Sequence, residues 1–568
     1  MNELIELWNK HTFKITAVIV APLLLAFFVS KVQAENIEEI VVYAQEVKTT
    51  KASPLTSTTL FEAIMPEKTW MAGGYGASAM FRERGAQSVH TTVYKNGVPA
   101  NNPGSGWYDF GHDITSGETV KVISGANGVM YGSGSIAGTV LIQDTIDTSV
   151  TARLGSDRQQ YISVAPTSWF QYSDFSIEQQ ARNDNTETDK YKNQSAKIIA
   201  DAGDFKFIVN AVDYAYDYDN CYTPAFSQSN DCLQDGQKVT VSVRNEYFTL
   251  GRTEEKSEYF TEGVSTYQNE SSRDYFRIGD TTNLSTLLEV TYGVDGSKEQ
   301  YNEHSDDNYG VFVSIDAQFI LDYNFGIRYG NDDQNALRFG IAKDQFYLNV
   351  GTSFRKANLY ELYGDSYVDA NESLMPEEGT GYEIGFGALS LFRYDFEESI
   401  EYQSGSMATN IIAEAVYNDA GTLILDAVTE DVYTNASYYN SGSYSTQGVR
   451  FSNDFGPVSV MIKYNDSDKP RVAQYVTVIT FNKMWKDVAY KLRYVGSFDR
   501  TPGAYDFLPE GQEYLDDLKK LNFYAVKKLP NNTTVSFTAL NLTNEQAEVL
   551  PYYDNKGREF NLTIQYNW

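Results

Sequence analysis

The sequence predicts an all-β transmembrane protein built around a large antiparallel β-barrel. Three observations carry this prediction: short segments alternate apolar and polar residues with a period of two, no apolar run of helical length follows residue 34, and tyrosine outnumbers phenylalanine by 43 to 31. A soluble core favours phenylalanine, whereas a ring with one polar end suits the boundary between lipid and water.

The first 34 residues read as an export signal. Residues 15–30 form an unbroken run of apolar or small side chains after Lys10 and Lys14, and Val32-Gln33-Ala34 has small residues where signal peptidase cleaves. The alternative is a retained membrane anchor, although a spanning helix needs ~20 apolar residues. We expect cleavage near Ala34 and an exported mature chain.

The last segment of the chain shows the period of two most clearly. One face carries only apolar or aromatic residues, namely Phe560, Leu562, Ile564, Tyr566 and Trp568, and the other carries Asn and Thr. A soluble β-sandwich would alternate in the same way. A membrane barrel is favoured because several apolar faces end in Tyr or Trp, the opposite faces suit a polar lumen, and the terminal strand is placed to close the barrel.

The length of the presumed barrel region indicates its size. Residues 146–568 accommodate about 22 strands of ~10 residues with their connections, and barrels of that size have a plugged lumen. Polar stretches such as Asn183-Asp184-Asn185 suit the turns and loops between strands.

A glycine-rich region precedes the barrel. Residues 56–145 show no membrane-length alternation, and short apolar pieces such as Thr91–Tyr94 lie between glycines. Asn96-Gly97 is a strong hairpin signal. The region reads as a small mixed α/β domain with tight turns, the alternative being a long flexible loop.

Several motifs resemble those of TonB-dependent outer-membrane receptors, most of all the compact cobalamin and siderophore receptors. In the glycine-rich domain these are Arg84-Gly85, Val93–Pro103, Glu118–Gly125 and Val129–Val140; in the barrel they are Phe354–Gly364, Leu374–Gly385 and Gly557–Phe560. The resemblance implies a barrel of about 22 antiparallel strands with an N-terminal mixed α/β plug domain in its lumen.

The resemblance also implies a domain order and a function. Residues 1–34 would be the signal peptide, 35–55 the TonB box and linker, 56–145 a shortened plug, and 146–568 the barrel. A monomer in the bacterial outer membrane would then take up a ferric siderophore or cobalamin into the periplasm, coupled to a TonB-type protein. Ser124 and Ala126 replace the arginine and proline usual in the plug motif, so a plug arginine that would pair with barrel carboxylates is absent at this position, which bears on how tightly the plug is seated.

A short segment after the presumed cleavage site resembles the TonB box. Its residues are Ile37, Glu38, Glu39, Ile40, Val41, Val42, Tyr43 and Ala44. Such a β-prone segment can add as a strand to the sheet edge of a partner, with main-chain hydrogen bonds carrying the grip. The alternative is an ordinary N-terminal strand.

Ligand contacts are expected from the plug apex and the outer loops. The candidates are Tyr75, Asn101, Asn102, Trp107 and Tyr108, because amides orient a polar ligand and rings supply contact area at low entropy cost. The alternative for these residues is packing of the turn inside the barrel.

Two further features concern one outer loop. Cys221 and Cys232 lie close together in an exported chain and are most simply a disulfide. Asp213, Asp217 and Asp219 are candidate oxygen ligands for a structural Ca²⁺, the alternative being a hydrated acidic loop. No other cofactor is predicted.

Composition argues against other function classes. A net charge of −31 argues against a nucleic-acid partner, and four histidines leave little for a histidine-based metalloenzyme. The chain has no legible Ser/His/Asp grouping, so we predict that it is not an enzyme. A passive porin-like channel and, less strongly, a barrel enzyme remain alternatives.

Overall fold

The structure, a computed structural model, describes most of the chain beyond residue 46. The described residues are 47–57, 59–60, 69–71, 74–114, 116–179, 188–225, 227–331, 334–413, 416–417, 423–425, 428–503, 508, 511–545, 548–550, 553–554 and 557–568. The predicted signal peptide and TonB box lie outside them. Among these residues, no helix is both long and apolar enough to cross a membrane.

Twenty-two strands among the described residues close into one antiparallel barrel, which confirms the predicted fold class and size. The first and last strands pair with each other, so that Ala152 lies opposite Ile564 and no edge is left open. In chain order the strands are Ser149–Gly155, Gln160–Thr167, Phe170–Gln179, Asp189–Ala202, Phe205–Tyr218, Cys232–Arg244, Phe248–Thr261, Val264–Ser285, Leu288–Tyr301, His304–Gln318, Asp322–Gly330, Ala336–Lys343, Phe346–Arg355, Glu377–Phe386, Leu389–Glu397, Tyr444–Phe455, Val458–Ser467, Ala473–Trp485, Val488–Arg500, Leu518–Lys528, Thr533–Leu540 and Glu559–Asn567.

The two faces of the barrel follow the period of two. On the last strand, Leu562 and Ile564 are exposed toward the lipid side, whereas Asn561 and Thr563 are buried toward the lumen. The alternation of apolar and polar residues therefore separates a lipid-facing surface from a polar interior.

The two ends of the barrel differ in their connections. At the end that holds both barrel termini, neighbouring strands are joined by turns of two to four residues, for example at 203–204, 387–388 and 529–532. At the other end lie much longer connections, including 356–376 and 398–443. Short periplasmic turns and long extracellular loops are the rule for outer-membrane barrels, so the long connections mark the extracellular end.

The longer connections carry secondary structure of their own. A helix, Leu359–Tyr363, begins at a capping box formed by Asn358 and Glu361. The short strands of the loops are Cys221–Tyr222, Gln228–Ser229, Val368–Asp369, Ile400–Gln403, Ser406–Ala413, Val416–Tyr417, Leu423–Leu425, Val428–Thr434, Ala436–Asn440, Glu548–Leu550 and Tyr553–Asp554.

The N-terminal domain is built on a mixed five-stranded sheet. Its strands and those of an accompanying two-stranded hairpin are β1 (Val47–Lys51), β2 (Thr69–Met71), β3 (Ala79–Phe81), β4 (Thr91–Lys95), β5 (Val98–Pro99), β6 (Thr119–Ser124) and β7 (Gly138–Gln143). The sheet order is β1-β6-β7-β4-β5, with β4 and β7 parallel. A short helix, Gly128–Tyr131, and a 3₁₀ turn, Ser88–His90, complete the mixed fold.

Of two sequence predictions for this domain, the structure agrees with one and differs from the other. Asn96 and Gly97 both have positive φ, 54° and 86°, and join β4 to β5 as the hairpin signal predicts. The linker expected over 35–55 instead includes β1, because Val47–Lys51 pairs with β6 along its whole length. A five-residue strand that includes Lys48 and Lys51 carries too little apolar alternation to be recognised from its own residues.

Cys221 and Cys232 form a disulfide across the base of one extracellular loop. We expect the double substitution Cys221→Ser/Cys232→Ser to raise the rate of proteolysis within 219–231, since the crosslink removes up to ~3 kcal/mol of chain entropy in the entropy model. Limited proteolysis of the folded barrel measures this, with the reduced wild-type chain as control. Equal cleavage rates in the oxidised wild type and the variant would contradict it.

Candidate ligand-binding site at the apex of the inner domain

The inner domain is fastened to the barrel wall by buried ion pairs. Lys197 of the barrel contacts both Glu118 and Asp144 of the inner domain, the second at 2.8 Å, and all three side chains are buried. In a second contact the inner domain supplies the cation: the guanidinium of Arg84 lies 3.1 Å from the carboxylate of Glu383 on the barrel. Because separating either contact would leave a buried charge without its partner, these pairs hold the domain in the lumen.

A second buried network joins the inner domain to the strand and helix beneath the extracellular loops. His90 Nε2 lies 2.7 Å from Glu377 Oε2, and Arg355 contacts the same carboxylate and that of Glu361. Burial lowers the pKa of His90. Tyr444 donates or accepts a hydrogen bond at Nδ1 of the same ring, so both ring nitrogens are engaged.

Barrel cations also donate to backbone carbonyls of the inner domain. Arg273 donates to the carbonyl of Asn101 at 2.6 Å, and Arg277 donates to that of Met130 at 2.8 Å. The seating therefore does not depend on the plug-motif arginine that Ser124 replaces. Barrel cations thus supply contacts at this interface that the replacement of arginine by Ser124 does not remove.

Above the apex of the inner domain lies an open cavity of about 260 Å³. The inner domain supplies one wall through the apex loop, with Asn102 and Trp107, and through Asp109 and His112, and the barrel and the helix Leu359–Tyr363 supply the rest. Five lining residues of the wall and the loop helix are tyrosines: Tyr214, Tyr259, Tyr267, Tyr301 and Tyr360. The cavity opens at the extracellular end and ends on the inner domain below, which is the position of a binding site rather than a channel.

The tyrosines continue from the cavity toward the outer loops as a ladder of neighbouring rings. Successive members lie 5.4–6.2 Å apart between ring centroids, except that Tyr267 and Tyr301 meet through their hydroxyls at 2.8 Å. We call this set the tyrosine ladder; in order it comprises Tyr259, Tyr267, Tyr301, Tyr360, Tyr438 and Tyr402. Tyrosines present rigid contact area together with a polar group, so the ladder offers a ligand a continuous aromatic surface from the loops to the apex.

The charged side chains that line the cavity are carboxylates. Asp109 and Glu255 line it, and Glu255 accepts a hydrogen bond from the Asn102 amide at 3.2 Å. Burial raises the pKa of Asp109 to about 6, although Ala79 and Gly111 donate backbone N–H groups to it. Among the described lining residues there is no lysine or arginine.

The one histidine of the lining does not supply a positive charge near neutral pH. Burial lowers the pKa of His112 to about 3, and its ring stacks on Tyr214 with centroids 3.5 Å apart. The nearby Lys238 is not among the lining residues; it donates to the carbonyl of Asp109, contacts the ring of Tyr108 and lies opposite Glu255 on the neighbouring strand.

The five residues predicted to contact ligand fall into two groups. Asn102 and Trp107 line the cavity, and within the described part of the chain the Trp107 indole N–H has no hydrogen-bond acceptor. Asn101 is buried and bonds Val93, Thr91 and Gly106, which holds the apex loop on its sheet.

Tyr108 and Tyr75 are also buried in packing rather than in the cavity. The Tyr108 hydroxyl donates to Asp113 within the inner domain. The Tyr75 hydroxyl donates to Glu559 on the closing strand, and Gln179 accepts from its backbone N–H at 2.8 Å. These two residues fix the domain in place and do not reach the cavity.

The three aspartates predicted to bind Ca²⁺ do not share one face. Asp213 is exposed on the outer face of its strand, Asp217 is half-buried on the same side, and Asp219 is buried at the strand end. No group of three acidic, histidine or cysteine side chains suited to a metal ion occurs in the parts of the chain that the structure describes. The calcium site remains a prediction.

Most of the cavity wall lies beyond what the sequence alone indicates. Tyr259, Tyr301 and Glu255 stand in strands whose tyrosines and carboxylates resemble those that face lipid or solvent elsewhere. Their inward direction follows from strand register, for which the chain carries no local signal. Of the lining residues, the sequence analysis singles out Asn102 and Trp107 in the apex loop and the helix motif that contains Tyr360.

Two family models match the chain. The model described as "TonB dependent receptor-like, beta-barrel" matches residues 131–563, and the "TonB-dependent Receptor Plug Domain" model matches residues 29–139. A comparison with curated protein sequences finds no match.

Solved structures with the same architecture include three receptors from different bacteria. A mutant of the ferric enterobactin receptor PfeA from Pseudomonas aeruginosa, in complex with enterobactin, is 12% identical with a TM-score of 0.66, over 92% of this chain and 100% of that one. The siderophore receptor PirA from Acinetobacter baumannii is 12% identical with a TM-score of 0.63, over 92% and 98%. The FrpB iron transporter from Neisseria meningitidis is 11% identical with a TM-score of 0.63, over 92% and 99%. At these identities the likeness shows the fold alone.

Proposed function

The chain belongs to the TonB-dependent receptor family, and from that premise we propose that it takes up a scarce, large solute, a ferric siderophore or cobalamin, through energy supplied by a TonB-type protein. Membership of this family makes the chain a transport protein of the bacterial outer membrane rather than an enzyme.

The observation that carries the proposal is the position of the cavity directly above a domain that fills the lumen. A ligand bound against Asn102 and Trp107 has the inner domain beneath it, and that domain is held by buried charge pairs such as Lys197 with Asp144. Passage therefore requires work on the inner domain, and an outer membrane has no energy source of its own. A passive porin-like channel is disfavoured because it needs an open lumen.

Uptake measurements test the proposal. In cells that express the chain as their only receptor, we expect accumulation of a radiolabelled ferric siderophore or cobalamin that stops when the TonB-type protein is removed or a protonophore is added. Binding at the cell surface should persist under both treatments, because the cavity does not depend on energy. Accumulation that continues without the TonB-type protein would favour the passive channel, and the absence of any energised uptake would contradict the proposal.

A further inference from the structure

We infer that the apical cavity selects ligands of neutral or positive net charge and excludes polyanionic chelates, so that its substrate class is a neutral or cationic chelate rather than a ferric tris-catecholate. This inference rests on the proposed function, and it assigns the charge of the ligand that the same site accepts. The net charge of −31 alone does not support it, because a total does not say where the charges lie.

The first support is the composition of the cavity wall. Two carboxylates line it, Asp109 from the inner domain and Glu255 from the barrel. Glu255 has an amide donor, Asn102, and no cation within ion-pair distance among the described residues. Lys238 lies opposite Glu255 on the neighbouring strand and favours the ionised form of Asp109, but one ammonium does not balance two carboxylates, so a ligand that enters the cavity meets a net negative charge.

The second support is that no lysine or arginine stands among the described residues that line the cavity, where a ligand could contact it. Lys238 already interacts with the Asp109 carbonyl and the Tyr108 ring. His112 is neutral near pH 7 because burial lowers its pKa to about 3. Polyanion recognition in proteins depends on arginine or lysine donors, and this cavity presents tyrosine, serine, asparagine and glutamine instead.

The third support is the charge of the chain segments that join strands at the extracellular end. In the sequence, the segments 398–443 and 501–517 carry seven and five carboxylates and no lysine or arginine. Lys356, Lys469 and Arg471 stand in other connections at this end, and two of them are paired, Lys356 with Asp306 and Lys469 with Glu401. An excess of negative charge raises the local concentration of cationic ligands and lowers that of anionic ones.

The tyrosine ladder fits the same ligand class. Ring faces attract cations and apolar surface, and their hydroxyls donate to or accept from neutral polar groups. Tyr301 and Tyr360 line the cavity and connect it to Tyr438 on the outer loop strand Ala436–Asn440. A neutral or cationic chelate therefore finds contacts along the whole path.

The charge of the cavity can be measured without knowing the ligand. Trp107 reports from the wall, and the difference in fluorescence quenching between the wild-type chain and Trp107→Phe isolates its signal from the other tryptophans. We expect caesium to quench Trp107 at least about twice as strongly as iodide at low salt, each expressed relative to its quenching of free N-acetyltryptophanamide, with acrylamide as the neutral reference. The double variant Asp109→Asn/Glu255→Gln should bring the caesium and iodide values together.

Glu270→Gln is the matched control for the double variant. Glu270 is an exposed carboxylate on the strand that pairs with the strand of Glu255. It forms an ion pair with Lys256 at 2.9 Å and does not line the cavity. We expect this variant to leave the ratio of caesium to iodide quenching of Trp107 at its wild-type value. Equal relative quenching of Trp107 by the two ions in the wild-type chain would overturn the inference.

Binding to the full chain then tests the ligand class with defined probes. The probes are a singly cationic ferric tris-hydroxamate, a neutral ferric tris-hydroxamate, cyanocobalamin and a triply anionic ferric tris-catecholate. We expect the tris-catecholate to bind at least about tenfold more weakly than the tightest of the others, with the gap narrowing at high salt. The double variant should lose affinity for the cationic hydroxamate relative to the neutral one.

The outcomes separate this inference from the proposed function. Tight binding and energised uptake of the tris-catecholate would overturn the inference and leave the proposed function standing. If no probe is taken up in an energised manner, the proposed function fails, while the quenching ratio still decides the charge of the cavity.

Discussion

Deletion of Ile37–Ala44 is expected to abolish energised uptake while surface binding of ligand is retained. This segment is the predicted TonB box, which lies outside the described residues, and its β-prone sequence suits addition to the sheet edge of a TonB-type partner. It leads directly into β1, an edge strand of the inner sheet in which Val47 pairs with Ile123. A pull from the N-terminal side would therefore act first on the strand with neighbours on one side only. Uptake of a radiolabelled probe, with surface binding measured in parallel, checks the result.

Two single substitutions sharpen that prediction. Val41→Pro removes a main-chain donor within the segment and should reduce energised uptake as strongly as the deletion, because strand addition depends on the backbone. Glu38→Gln leaves the backbone unchanged and serves as the matched control, with uptake near the wild-type rate. Unchanged uptake in the deletion would show that energy reaches the inner domain by another route.

The barrel was predictable because a strand in a bilayer must expose one kind of side chain to lipid and another to the lumen. That requirement appears in the sequence of the last strand, where Leu562 and Ile564 are exposed and Asn561 and Thr563 are buried. The pairing of strands distant in the chain has no such local signal. Closure between Ala152 and Ile564 depends on the whole barrel.

The candidate site was only partly predictable for a related reason. The Asn96-Gly97 turn locates the apex, yet neighbouring residues of the apex loop have different fates: Asn101 is used to hold the loop, whereas Asn102 reaches the wall. The barrel side of the cavity, including Tyr301 and Glu255, is defined by register and not by any motif. Tyrosine abundance was attributed to the membrane boundary, but the lumen uses the same residue.

The seating of the inner domain could not be deduced from motif positions. The usual plug arginine is replaced by Ser124, which removes one cation from the inner domain. In the structure, Lys197 on the barrel contacts two carboxylates of the inner domain. In this contact the barrel supplies the cation, whereas the plug arginine would have supplied it from the inner domain. Glu118 and Asp144 stand 79 and 53 positions before Lys197 in the chain, so only the folded structure brings the three side chains together.

Replacement of Lys197 by methionine is expected to loosen the inner domain in the lumen. Methionine keeps much of the length of the side chain but leaves Glu118 and Asp144 buried without their shared cation. Removal of one partner from a buried charge cluster costs about 3–5 kcal/mol. We expect a lower unfolding temperature and, in planar bilayers, current through a barrel that is closed in the wild type. Cells that express the variant should also become sensitive to antibiotics too large for ordinary porins.

The control for this experiment lies on the same strand. Lys192 is five residues before Lys197 and faces outward, where it is exposed, so Lys192→Met removes an equal charge without touching the inner domain. It should leave the current and the unfolding temperature close to wild type. If Lys197→Met behaves as Lys192→Met does, the Lys197 cluster does not hold the domain, and the other contacts, such as Arg84 with Glu383 and the backbone contacts from Arg273 and Arg277, suffice. If both phenotypes appear together only in Lys197→Met, occlusion of the lumen and stability of the folded chain share one electrostatic contact, because the same lysine neutralises both carboxylates.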